Sequence, residues 1–520
     1  MKRIISLILV CCSVFALFAG CSKTEETTTA ATSGAETTAS ESTGNQNDNT
    51  FTYAITGDPG NILNPITADD RFMLMEKKMT FAPLYSYMSD GSKYYYIAES
   101  VEASEDGLTY TCKIKPDLKW TDGEALNADD VVFSYNAFNT LKEDLIVNGQ
   151  PVEAVKIDDL TVEFKIPSVS ASIEENLSAP YIIPQHIFEG KENYDISLLN
   201  EEVVGCGPYL LDEYKTGEYI KFTKNPDYVG GEVGVETVIF RIIENDDTAK
   251  LALQNGEVDA WIALPAKMDG LEDFDVYTYS EGRVAYLRLN RMSENLQDLE
   301  YRQGILYALN RADILSASYI STDYAKVGYS FLPYTSGYYT EEVEKYEYDP
   351  EKAKELVAGG PTSLKLCYVA SDAAQSAQAV VIQAELAAVG VNVELMGVDQ
   401  ATYIAAHSDV TSTEYDMFLG GYVMSIDPDG FSSLFVTEGW MNFNNPAIDE
   451  AFAAAKVELD SEKRAEMYDE LQMMVSQEAL FYPLGSNLRI LVTNKRVGGV
   501  EEAQLVPVFT FEDPSKLTVN

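Results

Sequence analysis

The stretch Glu99–Phe138, ESVEASEDGLTYTCKIKPDLKWTDGEALNADDVVFSYNAF, places one structural period directly after another. Leu108, Tyr110, Cys112 and Ile114 alternate with Thr109, Thr111 and Lys113. That period of two predicts a half-buried strand, entered through the turn pair Asp106-Gly107. Asn127 is placed to cap a helix, with Asp130 three residues on as the acid of a near capping box. Val131, Val132 and Tyr135 give that helix its apolar face. A strand followed so closely by an amphipathic helix predicts mixed α/β layers.

The same alternation continues on either side. Leu160, Val162, Phe164 and Ile166 form a second two-period run. Further on, Leu364–Val369 reads as a strand and Gln375–Val389 as an Ala-rich helix stopped by Gly390. Val391, Val393 and Leu395 then alternate as another strand. This β-α-β order predicts a parallel pair. Near the C-terminus Met467, Leu471, Met474 and Val475 share one helical face. The sequence shows no internal repeat.

The N-terminus has a different character. Lys2 and Arg3 precede the apolar run Ile4–Leu17, which is short for a membrane span and has the shape of an export signal. It ends Phe18-Ala19-Gly20-Cys21, small residues before a cysteine, the pattern of a lipoprotein cleavage site. Cys21 is therefore expected to be the lipidated first residue of the mature chain. Residues 21–50 are almost wholly Ser, Thr, Ala, Glu, Gly and Asn. They carry too little apolar surface to offset chain entropy, and read as a disordered stalk.

The 520 residues carry 83 acidic against 37 basic side chains, a net charge of −46. Such a surface repels phosphate backbones and disfavours nucleic acid as a partner. Outside the leader and its junction only Cys112, Cys206 and Cys367 remain, too far apart in sequence for a metal or redox motif. They are expected to be buried and reduced. With His186 and His407 the sole histidines, no metal-ligand spacing arises, and no cofactor is expected. No Gly-x-Ser-x-Gly elbow and no phosphate-binding Gly-rich loop occurs, so the sequence does not read as an enzyme. Asp427-Pro428-Asp429-Gly430 lacks the ligand set of a calcium loop and reads as a turn. The 33 tyrosines include Tyr94-Tyr95-Tyr96, Tyr338-Tyr339 and Tyr346/Tyr348, each able to line a cleft or to pack over a sheet.

Seven segments in order carry a resemblance. They are APLYSYMSDG with the opening stretch Glu99–Phe138; GCGPYLLDEY (Gly205–Tyr214); DTAKLALQNGEVDAW (Asp247–Trp261); EYRQGILYALNRADIL (Glu300–Leu315); QAELAAVGVNVEL; IDPDGFSSLF; and NFNNPAIDEAFAAAKVELDSEKRAEMYDELQ. Together they resemble the family 5 extracellular solute-binding proteins, the oligopeptide- and dipeptide-binding group. In the second motif Cys206 replaces the family's Thr.

The resemblance implies a two-lobed, periplasmic-binding-protein-like α/β clamshell of type II, whose first lobe has an extra subdomain. By analogy residues 51–82, 205–290 and 480–520 form lobe I, 83–204 the extra subdomain and 291–479 lobe II. The two crossovers are placed near Asn290 and Leu480. The implied function is capture of peptides on the outer face of the cytoplasmic membrane and delivery to an ABC permease with its ATPase. The protein is expected to be a lipid-anchored monomer.

Peptide-binding members often carry Trp-x-x-Asp in the cleft, its aspartate pairing with the peptide ammonium. Tyr422 stands at the tryptophan and Ser425 at the aspartate. Tyr422, Val423, Met424, Ser425 and Asp427 are accordingly the expected ligand-binding residues. Tyr422 is expected to stack on the ligand, and Asp427 to be the nearest acid for a positive charge. Either Asp427 or another acid takes the ammonium, or the ligand has no free amine. Binding of a non-peptide solute, such as an oligosaccharide or opine, is the same-fold alternative, and a peptide sensor without an importer is another. The scarcity of histidine disfavours nickel.

Overall fold

The computed structural model describes residues 49–88, 92–191, 193–200, 202–423, 427–437 and 439–520. The expected signal segment, Cys21 and nearly all of the expected stalk lie outside these residues. The last residues assigned to the stalk belong to the body. The first strand is β1 (Thr50–Ile55), Thr50 pairs with Thr237, and Asn49 donates from Nδ2 to the Gly234 carbonyl at 3.2 Å. The physical reason is the alternation that begins at Thr50, which buries Phe51, Tyr53 and Ile55.

Helix α1 (Arg71–Thr80) follows, capped by Asp70, whose carboxylate accepts from the Phe72 and Met73 amides. The chain then enters the extra subdomain. Strands β2 (Ala98–Ala103), β3 (Thr109–Ile114), β4 (Glu153–Asp158) and β5 (Thr161–Lys165) form an antiparallel sheet in the order β2-β3-β5-β4. Helix α2 (Ala128–Leu141) packs on it through Val131, Tyr135 and Phe138. The expected capping box is present: Asn127 accepts from the Asp129 amide at 2.8 Å, and Asp130 accepts from the Asn127 amide at 3.0 Å. The subdomain shares one continuous apolar core with lobe I, in which Cys112 and Cys206 are buried.

The chain returns at Cys206, whose amide donates to the Thr80 carbonyl at the end of α1. It adds β6 (Tyr209–Lys215), β7 (Tyr219–Lys224), β8 (Thr237–Ile242), helix α3 (Asp246–Gln254), β9 (Ala260–Ala263) and β10 (Asp275–Ser280). Next comes β11 (Arg283–Leu289), then helices α4 (Leu299–Tyr307) and α5 (Arg311–Tyr319). The β-α-β unit read from the sequence is β12 (Ser363–Val369), α6 (Ala373–Ala388) and β13 (Asn392–Val398), and its strands are parallel. Helix α7 (Gln400–Ser408), β14 (Met417–Val423), α8 (Pro446–Ala455), α9 (Ser461–Gln477) and the 13-residue β15 (Phe481–Thr493) complete the frame.

Strand pairing runs β6-β7-β8-β1-β9-β15-β11-β14-β12-β13. The long strand β15 belongs to both lobes. Its C-terminal half pairs with β9 and β10, and its N-terminal half with β11. This corrects the expected crossovers. Strand β11 and residues 479–484 pack in the lobe II core, so the boundary lies at Glu281–Gly282 and at Gly485–Asn487 rather than at Asn290 and Leu480. Placement by analogy had put the seam at the ends of two apolar strands that are themselves central to the second sheet. Gly485 suits the change of direction. Its φ of 147° is open to glycine, and a Cβ there would sit 2.2 Å from the Lys326 carbonyl oxygen.

Candidate functional site

The seam between the two sheets opens a cavity of about 160 Å³ lined by Glu281, Arg283, Tyr319, Asp372, Gln378 and Asn487, with Gly420 at its wall. It lies beyond the C-terminal end of β12, where open α/β sheets bind ligands, and against the middle of β14. Its polar groups fall into two classes. Glu281 is fully engaged: Oε1 accepts from Arg71 Nη2 at 2.8 Å and Arg489 Nη1 at 2.6 Å, and Oε2 from Asn487 Nδ2 at 3.3 Å. Burial pushes its carboxyl up, but Arg489 and Arg71 outweigh this and hold it down at about 2. Asp372 caps α6, accepting from the Gln375 amide at 3.0 Å and from Gln375 Nε2 at 3.1 Å.

Arg283 and Gln378 form the other class. Neither side chain makes a hydrogen bond or ion pair among the described residues. Gln378 is only 2 % exposed, so its amide faces little but the cavity. The Arg283 guanidinium lies against the backbone of Gly421: a Cβ there would stand 2.6 Å from Nη2 and 2.7 Å from Nε. Gly420 gives the same room to the ring of Tyr286, whose hydroxyl would be 2.5 Å from a Cβ. The Gly-Gly pair inside FLGGYV thus has a packing reason: glycine in a strand marks close approach.

Strand β14 ends beside this cavity. It pairs with β11 along its whole length, but with β12 only through Met417 and Phe418. Leu419–Val423 therefore has no strand partner on its second edge among the described residues.

Of the expected binding residues, Tyr422 and Val423 close that strand. The Tyr422 hydroxyl donates to the Phe331 carbonyl at 2.6 Å, and its ring packs with Tyr286, Phe431 and Phe481. Burial raises its phenol well above the ordinary range. The ring, expected to stack on ligand, is partly buried against the lobe II core. Val423 is 51 % exposed. Met424 and Ser425 lie outside the described residues. Asp427 corrects the expectation of a free acid. It is 8 % exposed, and its two oxygens accept from Arg464 Nη1 and Nη2, each at 2.8 Å. It also caps the 3₁₀ turn Pro428–Phe431.

The remaining candidates settle into structure. His186 meets Asp122 at 2.8 Å on the surface. His407 is buried beside Tyr403 and Phe418, and burial, aided by Arg288, pushes its imidazole down to about 3. Tyr96 and Tyr346 are buried, and Tyr338 packs on Tyr468. Among the described residues no group of three or more His, Cys, Asp or Glu is placed to hold a metal ion. Sequence reading missed Arg283 and Gln378. The Gly420-Gly421 pair inside an apolar strand was the one local signal for either.

The lobes also meet at the rim. The Ala171 amide of the extra subdomain donates to the Lys456 carbonyl of lobe II at 2.9 Å. Gly107 abuts Leu459, whose Cδ1 would be 3.0 Å from a Cβ.

Comparison with known proteins agrees with this architecture. The family model described as bacterial extracellular solute-binding proteins, family 5 (middle), matches residues 94–443. The crystal structure of the ABC transporter substrate-binding protein CtaP of Listeria monocytogenes superposes with a TM-score of 0.84 at 34% identity, covering 91% of this chain and 99% of that one. The oligopeptide-binding protein AppA of Bacillus subtilis is 26% identical over 426 residues, 74% of this chain and 78% of the relative. The nickel-binding periplasmic protein of Escherichia coli is 22% identical over 482 residues, 84% of this chain and 90% of the relative. The chain belongs to the bacterial extracellular solute-binding proteins of family 5, with their two-lobed clamshell fold.

Proposed function

We propose that this chain is the substrate-binding subunit of an ABC importer and that its solute is a peptide. The observation that carries the reading is the edge of β14 at Gly420–Val423, which has no second strand partner among the described residues, beside the seam cavity. An extended peptide satisfies such an edge as an added strand does, with main-chain hydrogen bonds for affinity and pockets for its side chains. Tyr422 and Val423 offer backbone groups to that strand. Peptide-binding relatives such as AppA support the solute class, and CtaP supports the transporter role. A solute touching both lobes favours the closed arrangement over the open one by its difference in affinity for the two. The Phe18-Ala19-Gly20-Cys21 box supports lipid anchoring at Cys21 to the outer face of the membrane.

Mass spectrometry of the small molecules released from protein purified from its own cells tests the reading. Peptides are the expected species. A sugar or a metal chelate as the sole bound solute overturns the peptide class.

A further inference from the structure

The geometry points to a ligand carboxylate as a charged group that this cleft reads, with Arg283 and Gln378 as its receptors. The inference rests on the peptide reading above and sharpens it. The charges facing the cavity make the case. Glu281 is held by Arg71, Arg489 and Asn487; Asp372 is held at the start of α6; Asp427, in the same lobe, is held by Arg464. Glu281 and Asp427 are thus compensated by arginines, while Asp372 is held by neutral donors of its own helix. Ser425, at the family's aspartate position, brings no charge.

Arg283 is the opposite case, a guanidinium in the cavity wall with no hydrogen-bonded or ionic partner among the described residues. A guanidinium presents parallel N–H donors that match the two oxygens of a carboxylate. The backbone of Gly421 fixes its plane from behind. Gln378 is nearly fully buried, has no side-chain partner among the described residues, and turns its amide to the same cavity. Its NH₂ is a donor that a ligand carboxylate can accept from. Helix α6 also begins at this wall, through Asp372 and Ala374, and its N-terminal dipole favours negative charge there. Arg283 and Gln378 thus clamp one carboxylate, supplied either by the peptide C-terminus or by an acidic side chain.

The test uses the full chain stripped of bound solute and synthetic tetrapeptide mixtures built from Ala, Leu, Lys and Tyr. One mixture has free C-termini, a second has C-terminal amides, and a third has C-terminal amides plus one Glu per peptide. Retained peptides are quantified by mass spectrometry. The free-acid mixture is expected to be retained and the amidated one to bind about 30-fold or more weakly. Recovery of binding in the third mixture assigns the carboxylate to a side chain, and its absence assigns it to the C-terminus. Arg283→Gln is expected to abolish the discrimination, and Arg283→Lys to preserve part of it. Equal retention of the first two mixtures by the unaltered chain overturns the carboxylate inference and leaves the peptide reading standing. Retention of none of the three overturns the peptide reading, and this inference with it.

Discussion

The amide of Ala171 donates to the carbonyl of Lys456 at 2.9 Å, joining the extra subdomain of the first lobe to the α8–α9 loop of the second. Beside it Leu459 packs against Gly107, although its side chain remains 49 % exposed. The rim contact joins the lobes while adding little to either lobe's own stability.

Leu459→Glu separates these two roles. An exposed substitution outside the core shifts stability by about 0.5 kcal/mol or less. The denaturation midpoint is expected to stay within error, while peptide affinity falls several-fold because the closed state loses its rim contact. Unchanged affinity by calorimetry would show that the rim does not participate in closure.

Asp427 and Arg464 make a bidentate pair inside lobe II. Removing one partner leaves a buried charge alone, which costs about 3–5 kcal/mol. Asp427→Asn and Arg464→Met are each expected to lower the urea midpoint markedly. If urea denaturation instead shows native stability and titration shows lost peptide binding, Asp427 is a ligand group after all.

Glu281 sets a pH dependence. Its folded carboxyl titrates at about 2, below its ordinary value of 4.5. Its contribution to stability is therefore complete above pH 4.5 and disappears as the pH falls toward 2, an effect of about 3 kcal/mol. Glu281→Gln should flatten that part of the acid limb in a pH series of denaturation curves.

Glu76 acts in the opposite sense. It is wholly buried, neither of its carboxyl oxygens has a hydrogen-bond partner, and burial, with a smaller push from Asp58, raises it to about 8. The folded state binds this proton more tightly than the unfolded chain does, so stability declines from pH 4.5 to pH 8. Glu76→Gln is expected to remove that decline. A parallel decline in the variant would assign it to another group.

Much of the fold was legible because its signals are local. The period-two run ending at Ile114, the Asn127–Asp130 capping box and the stop at Gly390 each depend on residues close in sequence. The seam was not legible in the same way. Strand β15 is one run, FYPLGSNLRILVT, and nothing before Gly485 shows that its halves serve different lobes. The site was the least legible part. Arg283 begins an apolar strand and Gln378 lies within an Ala-rich helix, and only the pairing of β11 with β14 and the position of α6 bring them to one cavity. The segment at Tyr422 and Asp427 was found by position, but its side-chain chemistry follows from burial, which the sequence alone leaves open.

Gly421→Ala tests the site without touching its charges. The added methyl would collide with the Arg283 guanidinium, which must move. Loss of a well-placed charged hydrogen bond lowers affinity about tenfold or more. Calorimetry with a retained peptide should show that loss, and native stability alongside it would place the effect on binding rather than on folding.

Small-angle X-ray scattering tests the central claim, that a peptide closes the two lobes, most directly. Protein stripped of solute and the same protein loaded with a retained peptide are compared, with loading confirmed by native mass spectrometry. The account predicts a smaller radius of gyration in the loaded sample. An unchanged radius in a sample shown to be fully loaded would contradict it.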